Sequence, residues 1–208
     1  MDVRNETARS MDPRFHGEDE FESEVSMSVM DIRLETDRLI LRAPEIGDFE
    51  RYADMFADES MRIIGGPLSR HDAWRRFLQM PGAWMLQGFA MFSVVEKASG
   101  RWMGQAGPWH PEGWIGAEVG YAFHPDARGK GYCTEACVAA IDWSFDTLGW
   151  DEVIHCISPE NAASQAVAQR LGSRNRGRAT LAPPLDVHVI DVWGQSRAEW
   201  RGNRKRFA

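Results

Sequence analysis

Few of the signals that set a chain apart from ordinary globular proteins are present here. No apolar run reaches the roughly 18–20 residues that a membrane helix needs, so no spanning segment and no membrane partner are expected. No apolar stretch follows basic residues at the N-terminus, and no secretory leader is expected. Cysteine is scarce: Cys133, Cys137 and Cys156 are the three, and they form no C-x-x-C pair. Three thiols make no disulfide framework. Cys133 and Cys137 would share a helix face, and His155 lies beside Cys156. Small core residues in a reducing cytoplasm are nonetheless the expected reading, with no metal bound.

Positive charge is not in excess either. The net charge is −7, and residues 1–30 hold eight acidic residues against three arginines, which leaves only −2 for the other 178 residues. The acidity therefore belongs to one end and says little about a substrate. Residues 1–30 also lack a sustained apolar period, and a disordered acidic tail is expected there, with one domain over 31–208. Met27 and Met30 stand just before the structured pattern, so Met1 need not be the natural start. The short basic cluster of Arg201, Arg204, Lys205 and Arg206 is read as a solvated end, and no nucleic-acid partner is expected.

What is present is a mixed α/β pattern. Arg38-Leu-Ile-Leu-Arg42 alternates like a strand and stops at Pro44. Phe49, Tyr52, Ala53 and Phe56 recur at helical spacing. Ser69 opens a second helix with apolar positions Trp74, Phe77 and Leu78. Gly88–Glu96 and Arg101–Gly107 flank the turn Lys97-Ala-Ser-Gly100, a hairpin signature. A strand is expected over 117–123. After it, Cys133, Cys137, Ala140, Ile141, Phe145 and Leu148 mark one face of a long helix. A short strand over 152–157, a helix over 161–171 closed by Gly172, and alternation over 187–193 complete the order.

The chemistry concentrates between two of these elements. Glu118-Val-Gly-Tyr-Ala-Phe-His-Pro125 leads into Asp126-Ala-Arg-Gly-Lys-Gly-Tyr-Cys-Thr-Glu-Ala136, a strand, a loop with two glycines and the start of the long helix. Glycines permit close backbone approach, and the first helical turn offers unpaired N–H groups at the positive end of the dipole. That combination suits a phosphate or pyrophosphate. The spacing fits neither a P-loop nor the dinucleotide fingerprint, since Thr134 stands where a third glycine would be.

Arg128-Gly-Lys-Gly-Tyr-Cys-Thr-Glu-Ala136 resembles the pyrophosphate loop of the GNAT superfamily of N-acetyltransferases, in the branch of the RimJ/RimL-type ribosomal-protein enzymes. His155-Cys-Ile-Ser-Pro-Glu-Asn-Ala-Ala-Ser164, Val167-Ala-Gln-Arg-Leu-Gly172 and Leu34-Glu-Thr-Asp-Arg-Leu-Ile-Leu-Arg42 resemble other elements of that branch. The resemblance covers about residues 32–200. It implies the GNAT fold, a central mixed but mostly antiparallel sheet flanked by helices, with a V-shaped splay between the two strands that hold the cofactor. One position departs from it: Asp126 stands where the superfamily often has Gln or Arg.

The implied co-substrate is acetyl-CoA and the implied acceptor a primary amine, on a peptide N-terminus or a small molecule, with the enzyme a monomer or homodimer. The pantetheine arm is expected along Phe123, His124 and Pro125, and the pyrophosphate on Arg128, Gly129, Lys130, Gly131, Tyr132 and Cys133. Asn161 matches a pantetheine-contacting position; read from the residues alone it equally caps the helix that follows. Glu118 matches a position that often carries the general base, with His155 the runner-up. Many GNAT enzymes protonate the departing thiolate with a tyrosine absent from 161–171 here; Ser164 matches the serine proposed for that role in the RimL type. Trp84, Trp102, Trp109 and Trp114 are candidates for core or for an acceptor wall. A non-catalytic acyl-CoA-binding module and a nucleotide-binding protein are the rival readings.

Overall fold

The computed structural model describes residues 28–183 and 185–207. The expected acidic tail thus lies outside the described residues up to position 27. Residues 28–31 are already built into the domain: Ser28 caps a single turn over Val29–Asp31, and Val29 and Met30 pack against the core.

Eight strands form one sheet: β1 (Arg33–Glu35), β2 (Leu39–Arg42), β3 (Phe92–Glu96), β4 (Trp102–Trp109), β5 (Glu118–Phe123), β6 (Glu152–Ile157), β7 (Arg174–Ala179) and β8 (Ile190–Ser196). Their order is β1-β2-β3-β4-β5-β6-β8-β7. Every neighbouring pair is antiparallel except β5 with β6. That parallel pair needs a crossover, and the long helix α4 (Tyr132–Asp146) supplies it.

The remaining helices are α1 (Phe49–Ala57), α2 (Arg70–Phe77), α3 (Gln79–Gln87), α5 (Ala162–Leu171) and α6 (Arg197–Asn203). Side chains alternate across β5, so Val119 and Phe123 join the cluster under α4 while Ala122 joins the one under α1 and α2. Helices therefore cover both faces. On the α4 side Ala136, Cys137, Ala140, Ile141 and Phe145 are buried, as their spacing predicts.

The strand expected at Arg38–Arg42 is β2, and β1 pairs with it as a hairpin turned at residues 36–38. Two local expectations need correction. Leu78 is 45% exposed rather than core, because it sits where α2 gives way to α3, a helix that Pro81 and Gly82 disguise in the sequence. Pro81 lies in the first turn of α3, where a missing N–H costs little. The last alternation begins at Ile190, and Val187 is left 79% exposed.

Candidate active site

β5 and β6 share a single register pair, Glu118 with Ile154, closed by the Ile154 amide on the Ala117 carbonyl at 2.9 Å. No further register pair joins them among the described residues. Each strand instead lends a side chain to the other. On one face, Glu118 Oε1 accepts from the Cys156 amide at 3.0 Å. On the opposite face, the His155 ring lies with Nδ1 2.7 Å from the Val119 carbonyl oxygen.

The carbonyl can only accept, so His155 Nδ1 carries the proton and Nε2 is the acceptor. Ser173 Oγ, 3.1 Å away, then donates to Nε2 and in turn accepts from Gln195 Nε2 at 3.1 Å. His155 is 1% exposed, and burial lowers its pKa to about 4. It is a neutral, fully hydrogen-bonded ring.

Glu118 differs in kind. The residue is 7% exposed, and Oε2 accepts from the Trp114 indole N–H at 2.7 Å. Burial raises its pKa, and the bonds from Cys156 and Trp114 offset this in part. None of its described partners is a cation. Gly120 shares this face, and a Cβ there would collide with the Met91 methyl.

Of the four tryptophans considered for an acceptor wall, Trp84 and Trp102 are core. Trp84 packs edge-on against Phe92, and Trp102 donates to Ser93. Trp114 is the one that meets Glu118.

The loop between β5 and α4 has the conformation its glycines allow. Gly129 and Gly131 have φ of 74° and 82°, the left-handed region that disfavours a side chain. A Cβ at Gly129 would meet nothing within 4 Å. Among the described residues the amides of Gly129 to Cys133 have no backbone acceptor. The loop thus presents a run of unpaired donors at a helix N-terminus, which fits a diphosphate.

The loop is also braced from both sides. Arg38 donates to the Lys130 carbonyl at 3.0 Å and to Glu135 at 2.7 Å, with its guanidinium over the Tyr132 ring. The Tyr132 hydroxyl is bound to Glu96. Sequence reading missed Arg38 and Glu135, because 97 residues separate them.

A groove of about 1530 Å³ runs beside this loop, between β5, α4 and α5 and out towards β1. It brings together Phe123, Arg128, Gly129, Gly131, Tyr132, Cys133, Asn161 and Ser164 from the predicted set. His124, Pro125, Lys130 and Glu118 are not part of its lining. Asn161 Oδ1 caps α5 by accepting from the Ser164 amide at 3.0 Å, while its Nδ2 donates to no described residue. Arg128 Nε donates to the Phe123 carbonyl at 3.2 Å.

Tyr121, which sequence reading passed over, donates from its hydroxyl to the Ser164 carbonyl at 2.9 Å and so ties β5 to α5 across the groove. Among the described residues no group of three or more metal-binding side chains occurs, and no helix is long and apolar enough to cross a membrane.

These features agree with what the chain is similar to. A family model described as an acetyltransferase (GNAT) domain matches residues 38–174. An acetyltransferase structure from Agrobacterium tumefaciens superposes with a TM-score of 0.70 at 31% identity, covering 80% of this chain and 95% of that one. The uncharacterized N-acetyltransferase p20 of Bacillus licheniformis is 29% identical over 77% of this chain and 92% of its own length.

A ribosomal-protein-alanine acetyltransferase from Vibrio fischeri shares the fold at a TM-score of 0.63 and 20% identity, over 82% of this chain and 99% of that one. The chain spans between 35% and 51% of the length of the first curated relatives it matches. The splayed sheet, the glycine loop at the head of α4 and these matches together make the chain a member of the GNAT acetyltransferase family.

Proposed function

We propose that the protein moves the acetyl group of acetyl-CoA directly to a primary amine, on a peptide N-terminus or a small molecule, within a ternary complex. The observation that carries the cofactor half is the row of unpaired amides from Gly129 to Cys133 beside a groove lined by β5, α4 and α5. Gly129, Gly131, Tyr132 and Cys133 would hold the diphosphate through the backbone, with Arg128 and Lys130 supplying positive charge. Phe123 to Pro125 and the free Nδ2 of Asn161 would hold the pantetheine arm. Acetyl-CoA supplies an activated thioester, and the work left to this chain is orientation and proton transfer.

Glu118 is the base in this reading. An amine attacks only when neutral, so a proton must leave it, directly or through water. A carboxylate whose pKa burial has raised accepts that proton closer to neutral pH than an exposed one would. Glu118 takes the first proton from the ammonium, and as the C–N bond forms and the C–S bond breaks the nitrogen's second proton passes through the Ser164 hydroxyl to the sulphur, leaving the serine neutral. His155 is set aside as base because Nδ1 holds its proton on the Val119 carbonyl and Ser173 takes the single lone pair of Nε2, whereas each Glu118 oxygen keeps a second lone pair beside the one given to Cys156 or Trp114. Free Cys133, Cys137 and Cys156 suit a reducing cytoplasm.

The test has two arms. Acetyl-CoA should raise the melting temperature, and a panel of amines with acetyl-CoA should reveal an acceptor through released thiol. Stabilisation by ATP or NAD with none from acetyl-CoA would overturn the reading.

A further inference from the structure

Where β5 and β6 part, each strand loses a backbone partner, and a buried unpaired N–H or C=O is costly. The first ladder bond missing beyond the register pair is the one from the Cys156 amide to the Val119 carbonyl. Both are recovered by side chains: Glu118 of β5 takes the amide, and His155 of β6 takes the carbonyl. The two side chains lie on opposite faces of the sheet, so the junction is clamped from above and below.

We propose that Glu118 and His155 form a reciprocal wedge that sets the splay, and that His155 is thereby a positioning residue for the acetyl-CoA gap. The inference rests on the acetyl-CoA reading of the groove. The ring is held in one tautomer by a further relay, Ser173 on Nε2 and Gln195 on Ser173, which is in turn held by Asn203 on Gln195 Oε1 at 3.1 Å. A donor at the ring position keeps the Val119 carbonyl occupied without drawing the strands together. An apolar side chain there leaves that carbonyl to seek the nearest amide of β6, which would close the gap by one ladder step.

The experiment compares wild type, His155→Leu and His155→Gln for acetyl-CoA affinity by titration calorimetry. It also reads the His155 ring by nitrogen NMR. Leucine should weaken acetyl-CoA about tenfold or more. Glutamine, which can donate to Val119 and accept from Ser173, should recover most of the loss. The NMR spectrum should show the neutral tautomer protonated at Nδ1.

If His155→Leu does not fold, Ser173→Ala takes its place. It frees the ring to turn and should weaken acetyl-CoA by a smaller factor. Wild-type affinity in the leucine or Ser173→Ala protein, or a ring protonated at Nε2, overturns the wedge. A wild-type protein that does not bind acetyl-CoA, with the Nδ1 tautomer present, overturns the cofactor role and leaves the clamp as architecture alone.

Discussion

Arg51 on α1 grips Asp126 at the head of the glycine loop with two hydrogen bonds of 2.9 and 3.0 Å from one nitrogen. Arg101 adds a third at 2.7 Å, and His124 Nδ1 lies 2.9 Å away. Burial alone would raise the Asp126 pKa, but Arg51, His124 and Arg101 outweigh it and hold the carboxyl below its usual range. This accounts for the one departure from the family loop. Asp126 is an anchor that fastens the loop to α1 and to the edge of β4, and its charge is already spent on protein partners.

Asp126→Asn should therefore cost stability rather than cofactor affinity. The network is partly exposed, so about 1 kcal/mol is expected, a fall in melting temperature of roughly 2–4 °C. Thermal denaturation and acetyl-CoA titration on the same protein check it. A large affinity loss at an unchanged melting temperature would return Asp126 to the phosphate site.

Gly129→Val and Gly131→Val should each weaken acetyl-CoA while the protein still folds. Both positions have left-handed backbone that a β-branched residue adopts only with strain, of order 1–3 kcal/mol. At Gly129 the added side chain would stand in open space, where a diphosphate would approach. At Gly131 it would meet Arg38 at 3.4 Å and press on the brace of the loop. Calorimetric titration reads the effect, and unchanged affinity in both proteins places the anion site elsewhere.

Glu118→Gln tests the base. Turnover should fall by about 10²–10⁴-fold, with the deficit shrinking at high pH where more of the amine is already neutral. The wild-type acid limb should lie above the ordinary carboxylate range, since burial raises the Glu118 pKa and the base acts only when ionised. Glutamine has one acceptor oxygen for two donors, Cys156 N–H and Trp114 N–H. A stability loss of about 1–3 kcal/mol is therefore expected beside the catalytic one. Steady-state rates against pH, with cofactor affinity measured separately, distinguish the two effects. Full turnover of a verified acceptor would move the proton to water.

His155 makes stability depend on pH in a stated direction. Its folded pKa of about 4 lies below the value of an exposed histidine, so the unfolded chain takes up the proton first. Its contribution is complete above about pH 6.5 and is lost as pH falls towards 4, on the order of 2 kcal/mol by pH 5. His155→Gln has no such proton to gain. Denaturant unfolding at pH 7 and pH 5 should show wild type losing more than the variant. Parallel losses would mean that the ring titrates normally.

Much of this was legible in the residues because its causes are local. The apolar face from Cys133 to Leu148 needs only its own spacing to make α4, and Asn161 and Gly172 bracket α5 by cap chemistry that each supplies alone. α3 was hidden because Pro81-Gly82 reads as a break, whereas the end of α2 at Leu78 makes it a permitted first turn. Trp84 and Trp102, two candidates for a substrate wall, proved to be core once the sheet gave them partners.

By itself the sequence determined the strand–loop–helix with its two left-handed glycines and unpaired amides, since turn geometry and helix ends depend on neighbours in the chain. Tertiary structure alone decided the partners of the two candidate bases, Glu118 between Cys156 and Trp114 and His155 between Val119 and Ser173. Glu118 and Cys156 are 38 positions apart, and His155 and Val119 are 36. Those pairs exist only because α4 carries the chain across to lay β6 parallel to β5 in one register, and then no more of the ladder forms.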